Sequence, residues 1–248
     1  MTLTNTRIII FGAGSSIASA LCRKLAESGA RLAVVARNTK QLEVLKSDLM
    51  SRGAKEVTTY GANLDDTSSH EELLNSIVRD GGIDAAVLAW GVLGDNTAAT
   101  ASASAALEIF QTNLIAPVSL LTVLGNHFEA KGTGQIVVIG SVAGDRGRQS
   151  NYVYGTTKGA LERFCEGLRN RLAPKSVHVM LVKPGMVDTP MTSHMKKGPL
   201  FAKPEQVAAD ILKGMKSDSD VIYTPFFWRP IMGLIRAIPE QMFKKMKM

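Results

Sequence analysis

Short apolar runs rich in Val and Ile alternate with helix-length amphipathic segments along nearly the whole chain. The candidate strands are Arg7–Phe11, Arg31–Ala36, Glu56–Gly61, Ala85–Ala89, Gln135–Gly140, His178–Lys183 and Val221–Tyr223. The candidate helices are Ser16–Ser28, Thr39–Arg52, Ser68–Asp80, Ser102–Lys131, Asn151–Leu172 and Pro204–Lys216. Within the strand runs apolar residues are continuous rather than alternating, as in strands covered on both faces. Repeated strand–helix units with short links predict α/β architecture, a doubly wound parallel sheet of about seven strands between two helical layers. Several ends carry stop and start signals. Ser68-x-x-Glu71 reads as a capping box, Gly29 and Gly53 as helix terminators, and Pro204 as a first helical residue. Residues 1–224 read as one domain and 225–248 as an amphipathic, basic tail.

Composition narrows the functional classes. Of 248 residues 45% are hydrophobic and 21% charged, which excludes collagen-like and mostly disordered chains. The net charge is +7, of which +4 falls in residues 221–248, so the body is too weakly basic for a nucleic-acid binder. Cys22 and Cys165 form no metal or redox motif, and His70, His127, His178 and His194 lack metal-ligand spacing. A strand begins almost at once, which argues against a signal peptide, and no membrane-spanning run is expected. The cytoplasm is the expected location.

The first strand enters Gly12-Ala13-Gly14-Ser15-Ser16-Ile17-Ala18 and then a helix. Glycines there permit a tight turn and close backbone approach to a pyrophosphate at the helix N-terminus, the Rossmann-type arrangement. The second strand ends at Arg37, with no carboxylate to receive an adenosine ribose. Arg37 suits the 2′-phosphate of NADP(H), preferred here over NAD(H); alternatively it is an ordinary solvated arginine.

Tyr154-Gly155-Thr156-Thr157-Lys158 opens a candidate helix. With four tyrosines and 16 lysines in the chain, such a match arises by chance about one time in four. Its chemistry is specific all the same. Spacing of i,i+4 places both side chains on one face, and a neighbouring ammonium favours the phenolate. Ser141 follows the strand Gln135–Gly140, where an open parallel sheet forms its ligand crevice. Asn113 interrupts an apolar helical run, and taken alone reads as a buried, helix-bending residue.

Taken together, the glycine turn, Asn113, Ser141, Tyr154-x-x-x-Lys158 and Pro184-Gly185-Met186-Val187-Asp188-Thr189 resemble the short-chain dehydrogenase/reductase family over roughly residues 5–224. The resemblance implies a catalytic tetrad of Asn113, Ser141, Tyr154 and Lys158. In it Tyr154 passes a proton to a carbonyl oxygen, Ser141 bonds that oxygen, Lys158 lowers the tyrosine pKa and holds the nicotinamide ribose, and Asn113 supports a water-linked relay. It further implies a cofactor lying along Gly12, Gly14, Ser15, Ser16, Ile17, Arg37, Asn63, Leu64 and Gly91. That cofactor then meets Tyr154, Lys158, Pro184, Gly185, Val187 and Thr189. Departures from the family pattern are Ser16 and Ala18 in place of glycines, Asn63 where Asp is frequent, and Leu88-Ala89-Trp90-Gly91 after the fourth strand.

The substrate side is expected from Val92–Thr100, Val142–Ser150 and Thr189–Ala202, which contain Arg146, Arg148, His194, Lys196 and Lys197. These cations suit a phosphate, or are simply solvated. Beyond Thr224, Phe, Trp and Met interleave with Lys and Arg, as in a segment lying in a membrane interface or on a partner subunit. This tail, with Gly144-Asp145-Arg146-Gly147-Arg148-Gln149, resembles the subgroup of decaprenylphosphoryl-2-keto-pentose reductases. That narrower resemblance implies an NADPH-dependent reductase of a lipid-linked keto-sugar, peripheral on the inner membrane face. The alternatives are a soluble reductase of small carbonyl compounds with an oligomerising tail, and a non-catalytic NADP-binding protein. A homo-oligomer, dimer or tetramer, is expected.

Overall fold

The computed structural model describes residues 3–246. Seven strands form one parallel sheet in the order β3-β2-β1-β4-β5-β6-β7. They are β1 (Arg7–Phe11), β2 (Arg31–Ala36), β3 (Glu56–Gly61), β4 (Ala85–Leu88), β5 (Gly134–Ile139), β6 (Val177–Pro184) and β7 (Val221–Thr224). The order reverses between β1 and β4, which opens a crevice at the carboxyl ends of the strands.

Side chains alternate across the sheet, so each strand feeds two cores. Ile8, Ile10, Val34 and Val87 pack against α1 (Ser16–Glu27), α2 (Thr39–Ser51) and α8 (Pro204–Lys216). Ile9, Phe11, Val35 and Leu88 pack against α3 (His70–Arg79), α6 (Ala116–Lys131) and α7 (Tyr152–Leu172). Each fully buried Ile, Leu or Phe contributes about 1.5–3 kcal/mol relative to exposure. Burial on both faces explains the continuous apolar runs.

Four local expectations are corrected. The Ser68 capping box does not form. Asp66 Oδ1 accepts from both the Ser68 amide (3.1 Å) and hydroxyl (2.6 Å), consuming the group that was to cap, and α3 begins at His70. The single helix expected over Ser102–Lys131 is three pieces: α5 (Ala103–Phe110), a π-helical turn at Gln111–Ile115, and α6. A further helix, α4 (Asn96–Ala101), stands where a loop was expected, because Asp95 accepts from Thr97 N and Ala98 N. Finally, the run 103–131 is long and apolar enough to cross a membrane by length and composition, contrary to the expectation from sequence. Leu120, Leu121, Leu124 and Phe128 in that run are nonetheless buried against the sheet.

The tail carries α9 (Trp228–Ala237) and α10 (Glu240–Phe243), and its inner face is covered by the chain's own residues.

Candidate active site

The crevice collects the exits of β1, β4, β5 and β6. At the first, Gly12 adopts φ +81°, and a Cβ there would lie 2.7 Å from Trp90 Cβ and 2.8 Å from Trp90 N, so only glycine fits. Gly12 N and Ala13 N donate to Val35 O, tying the turn to β2. Gly14 is exposed, with only Gln41 near the position of a Cβ, at 3.9 Å. Ser15 Oγ accepts from Ala18 N (3.2 Å) and caps α1, while Ser16 and Ile17 form its first turn. Ala18 is fully buried in the core, so the sheet has room for its methyl group.

Arg37 stands exposed just beyond β2, without an ion-pair or hydrogen-bond partner among the described residues. Its neighbour Asn38 is occupied in capping α2 through Gln41 N (3.1 Å). Asn63 is exposed after β3, with Oδ1 accepting from Asp65 N (3.3 Å), and Leu64 beside it is buried. Leu64 O can only accept, so His70 Nε2 donates to it (3.1 Å) and Nδ1 accepts from Ser119 (3.0 Å). Burial lowers the His70 pKa and keeps that ring neutral.

A nicotinamide dinucleotide fits these features. An open glycine face leads to the N-terminus of α1, where first-turn N–H groups lack intrahelical acceptors, and the exposed Arg37 guanidinium follows β2.

The α7 face brings Tyr154 and Lys158 together, and glycines decide where α7 lies. A Cβ on Gly155 would meet Ala143 O at 2.8 Å, and one on Gly144 would meet Gly159 N at 2.8 Å. The helix therefore rests directly on the turn that follows Ser141. Ser141 Oγ accepts from Ala143 N (3.1 Å) and lies beside the Tyr154 hydroxyl. Burial raises the Tyr154 pKa, and the Ser141 hydroxyl opposes that rise. Lys158 Nζ lies 5.8 Å from the centre of the Tyr154 ring and donates to Ile139 O (3.1 Å). Burial brings its own pKa down to about 8.

Asn113 sits in the π-helical turn, fully buried, with Oδ1 accepting from Val92 N (2.8 Å) and Nδ2 donating to Val92 O (2.7 Å). Its amide is spent on fixing the exit of β4. Gly91 is part of the same packing, since a Cβ there would lie 2.8 Å from Asn113 Oδ1 and 3.6 Å from Lys158 Nζ.

Pro184 ends β6 buried, and Gly185 N donates to Thr224 O (3.0 Å). Val187 is buried and bridges Ala202. Thr189 is half-buried at a turn in which Thr192 Oγ1 accepts from Thr189 N (3.3 Å) and donates to Val187 O (2.6 Å).

Sequence reading missed a second layer. Asp145 and Lys183 pair behind the site, Lys183 also meets Glu162 (2.8 Å to each oxygen), and Tyr223 donates to Asp145 (3.0 Å). Arg146, expected to face a phosphate, is instead bound to the tail. Only the i,i+4 spacing of Lys158 and Glu162 on α7 hinted at the buried cluster.

The short chain dehydrogenase family profile matches residues 6–199, and the chain belongs to that family, whose members bind a nicotinamide cofactor. It is 38% identical over 240 residues to an uncharacterized oxidoreductase of Mycobacterium tuberculosis, covering 96% of each chain. It is 27% identical over 213 residues to carbonyl reductase family member 4 of Xenopus laevis, covering 82% of this chain and 88% of that one. In structure it resembles a short-chain dehydrogenase from Sphingobium yanoikuyae in complex with NADPH. That match has a TM-score of 0.81 and 24% identity, covering 95% of this chain and 97% of the other. The protein is thus an oxidoreductase on a Rossmann-type fold.

Proposed function

We propose that the protein is an NADPH-dependent carbonyl reductase. The observation that carries this reading is the buried Tyr154, with Ser141 beside its hydroxyl and the Lys158 ammonium 5.8 Å from the centre of its ring. Held along Gly12, Ser15 and Arg37, NADPH would supply the hydride for the carbonyl carbon. Tyr154 gives its proton to the carbonyl oxygen, and Ser141 stabilises the charge developing there. The balance is ketone, NADPH and one proton to alcohol and NADP⁺. Lys158, positively charged below about pH 8, stabilises the tyrosinate left behind. Asn113 holds the β4 exit through Val92.

The choice of NADPH rests on Arg37, unpaired at the end of β2. The Sphingobium neighbour holds the same cofactor. The Xenopus relative bears a carbonyl reductase name.

A lipid-linked ketone, such as a keto-sugar on a polyprenyl phosphate, is the substrate class we favour, with the protein peripheral on the inner face of the membrane. Phe226, Leu234, Met242 and Met246 are exposed on the tail among Arg229, Arg236, Lys244 and Lys245, a combination suited to an anionic lipid surface. Exposed Leu107 and Ile115 suit a second copy of the chain. The reading is tested by following NADPH oxidation against a panel of ketones. Turnover dependent on Tyr154 is expected; cofactor binding without turnover of any ketone would favour a regulatory protein.

A further inference from the structure

The segment beyond β7 is seated on the candidate active site. Val142, next to Ser141, and Met186, next to Gly185, share one apolar cluster with Trp228 and Met232, flanked by Ile231 and Ile235. Trp228, Ile231, Met232 and Ile235 recur at helical spacing, so one face of α9 is turned inward. The Trp228 indole occupies the place of the side chain that Gly185 lacks: a Cβ there would fall 1.8 Å from Nε1. Absence of a side chain at Gly185 is what admits the ring.

A single residue fastens the other end. Arg146 lies five positions after Ser141, and its Nη1 donates to the carbonyls of Ile235 (2.7 Å), Ile238 (2.6 Å) and Arg236 (3.2 Å). Its Nη2 meets Glu240 (2.9 Å), and the guanidinium lies 3.7 Å from the centre of the Phe243 ring. A cation at the C-terminus of α9 satisfies carbonyls that the helix leaves unpaired. Arg146 is itself held, because Asp145 before it is paired with Lys183 and accepts from Tyr223. The buried Trp228 N–H has no acceptor among the described residues, which works against seating. Apolar contact and the Arg146 fork must outweigh it.

We propose that residues 227–243 form the substrate-side wall of the carbonyl site, that Arg146 is the positioning residue fastening this wall, and that the wall takes the apolar body of a ketone. The proposal rests on the carbonyl reductase reading. Met186 connects the wall to an apolar hollow of about 420 Å³ lined by Met195, Pro199, Leu200 and Phe201. Wall and hollow together offer apolar cover on the Gly185–Met186 side of the site.

The test compares full-length wild type, Arg146→Ala and Arg146→Lys. Loss of the fork should let trypsin cut at Arg236 and Lys244 while NADPH affinity stays within about twofold. KM for methyl nonyl ketone should rise about tenfold, with KM for acetone little changed, and Arg146→Lys should fall between. If Arg146→Ala does not fold, Arg146→Lys and Glu240→Gln carry the comparison. An unchanged KM for the long ketone in a variant whose tail trypsin releases would overturn the proposal, as would an equal rise for both ketones. Should wild type reduce neither ketone, the reductase reading has failed, and Trp228 reports on the wall alone. In Trp90→Phe protein with NADPH, methyl nonyl ketone must then change the Trp228 emission; no change overturns the wall.

Discussion

Asn113 and Val92 exchange two hydrogen bonds, side-chain amide to backbone, at 2.8 Å and 2.7 Å. The pair joins a π-helical turn to the exit of β4, beside the Lys158 ammonium. Asn113→Ala removes two hydrogen bonds between a fully buried side chain and the peptide groups of the exposed Val92, each contributing about 0.5–1.5 kcal/mol. A loss of about 1–3 kcal/mol in denaturant unfolding is expected, with kcat falling more than NADPH affinity. Unchanged stability would remove Asn113 from its positioning role.

The pH dependence follows from Lys158. Burial lowers its pKa to about 8 from the ordinary 10.5, so the folded protein releases this proton more readily than the unfolded chain. The group thus opposes folding below about pH 8, and that penalty is relieved as pH rises from about 8 toward 10.5. Activity runs the other way, because the tyrosinate needs the ammonium. Ketone reduction measured as kcat/KM should decline as pH passes about 8; a profile flat through that value would sever Lys158 from the chemistry.

Cofactor choice is assigned to Arg37. Wild type should bind NADPH at least about tenfold more tightly than NADH, about 1.4 kcal/mol, and Arg37→Asp should reverse the order by repelling the 2′-phosphate. Fluorescence titration of both nucleotides decides it. Equal wild-type affinities would contradict the assignment.

Much of the sheet was legible because strands buried on both faces need continuous apolar runs, and the approach of Lys158 to Tyr154 because the two share a helical face. Close approaches between distant segments were not. Gly144 and Gly159 meet only after α7 has docked, and no propensity marks the extra residue that turns Asn113 inward. Asp66 took the capping role read into Ser68, since its carboxylate reached that residue's amide and hydroxyl first. An amphipathic tail reveals a face seeking cover and not what covers it; here its inner face found Val142 and Met186, through an arginine 90 positions away from Arg236 in sequence.

The outward face of that tail remains available to lipid. Phe226 is 81% and Leu234 73% exposed, with Arg229 and Arg236 nearby. Full-length protein should sediment with anionic vesicles, each nearby cation adding about 1 kcal/mol. The double substitution Phe226→Glu and Leu234→Glu should release it without disturbing the buried face of Trp228 and Met232. Wild type that stays in solution with such vesicles would exclude the interfacial reading.

The most direct test of the central claim, proton donation by Tyr154, is a paired measurement on Tyr154→Phe. Loss of the hydroxyl leaves the ring packed on α7 and removes only the proton donor beside Ser141. The account predicts at least about a thousandfold fall in NADPH-dependent ketone reduction, about 4 kcal/mol in transition-state stabilisation, with the NADPH dissociation constant changed by less than about threefold. A variant that keeps most of the wild-type rate would contradict it.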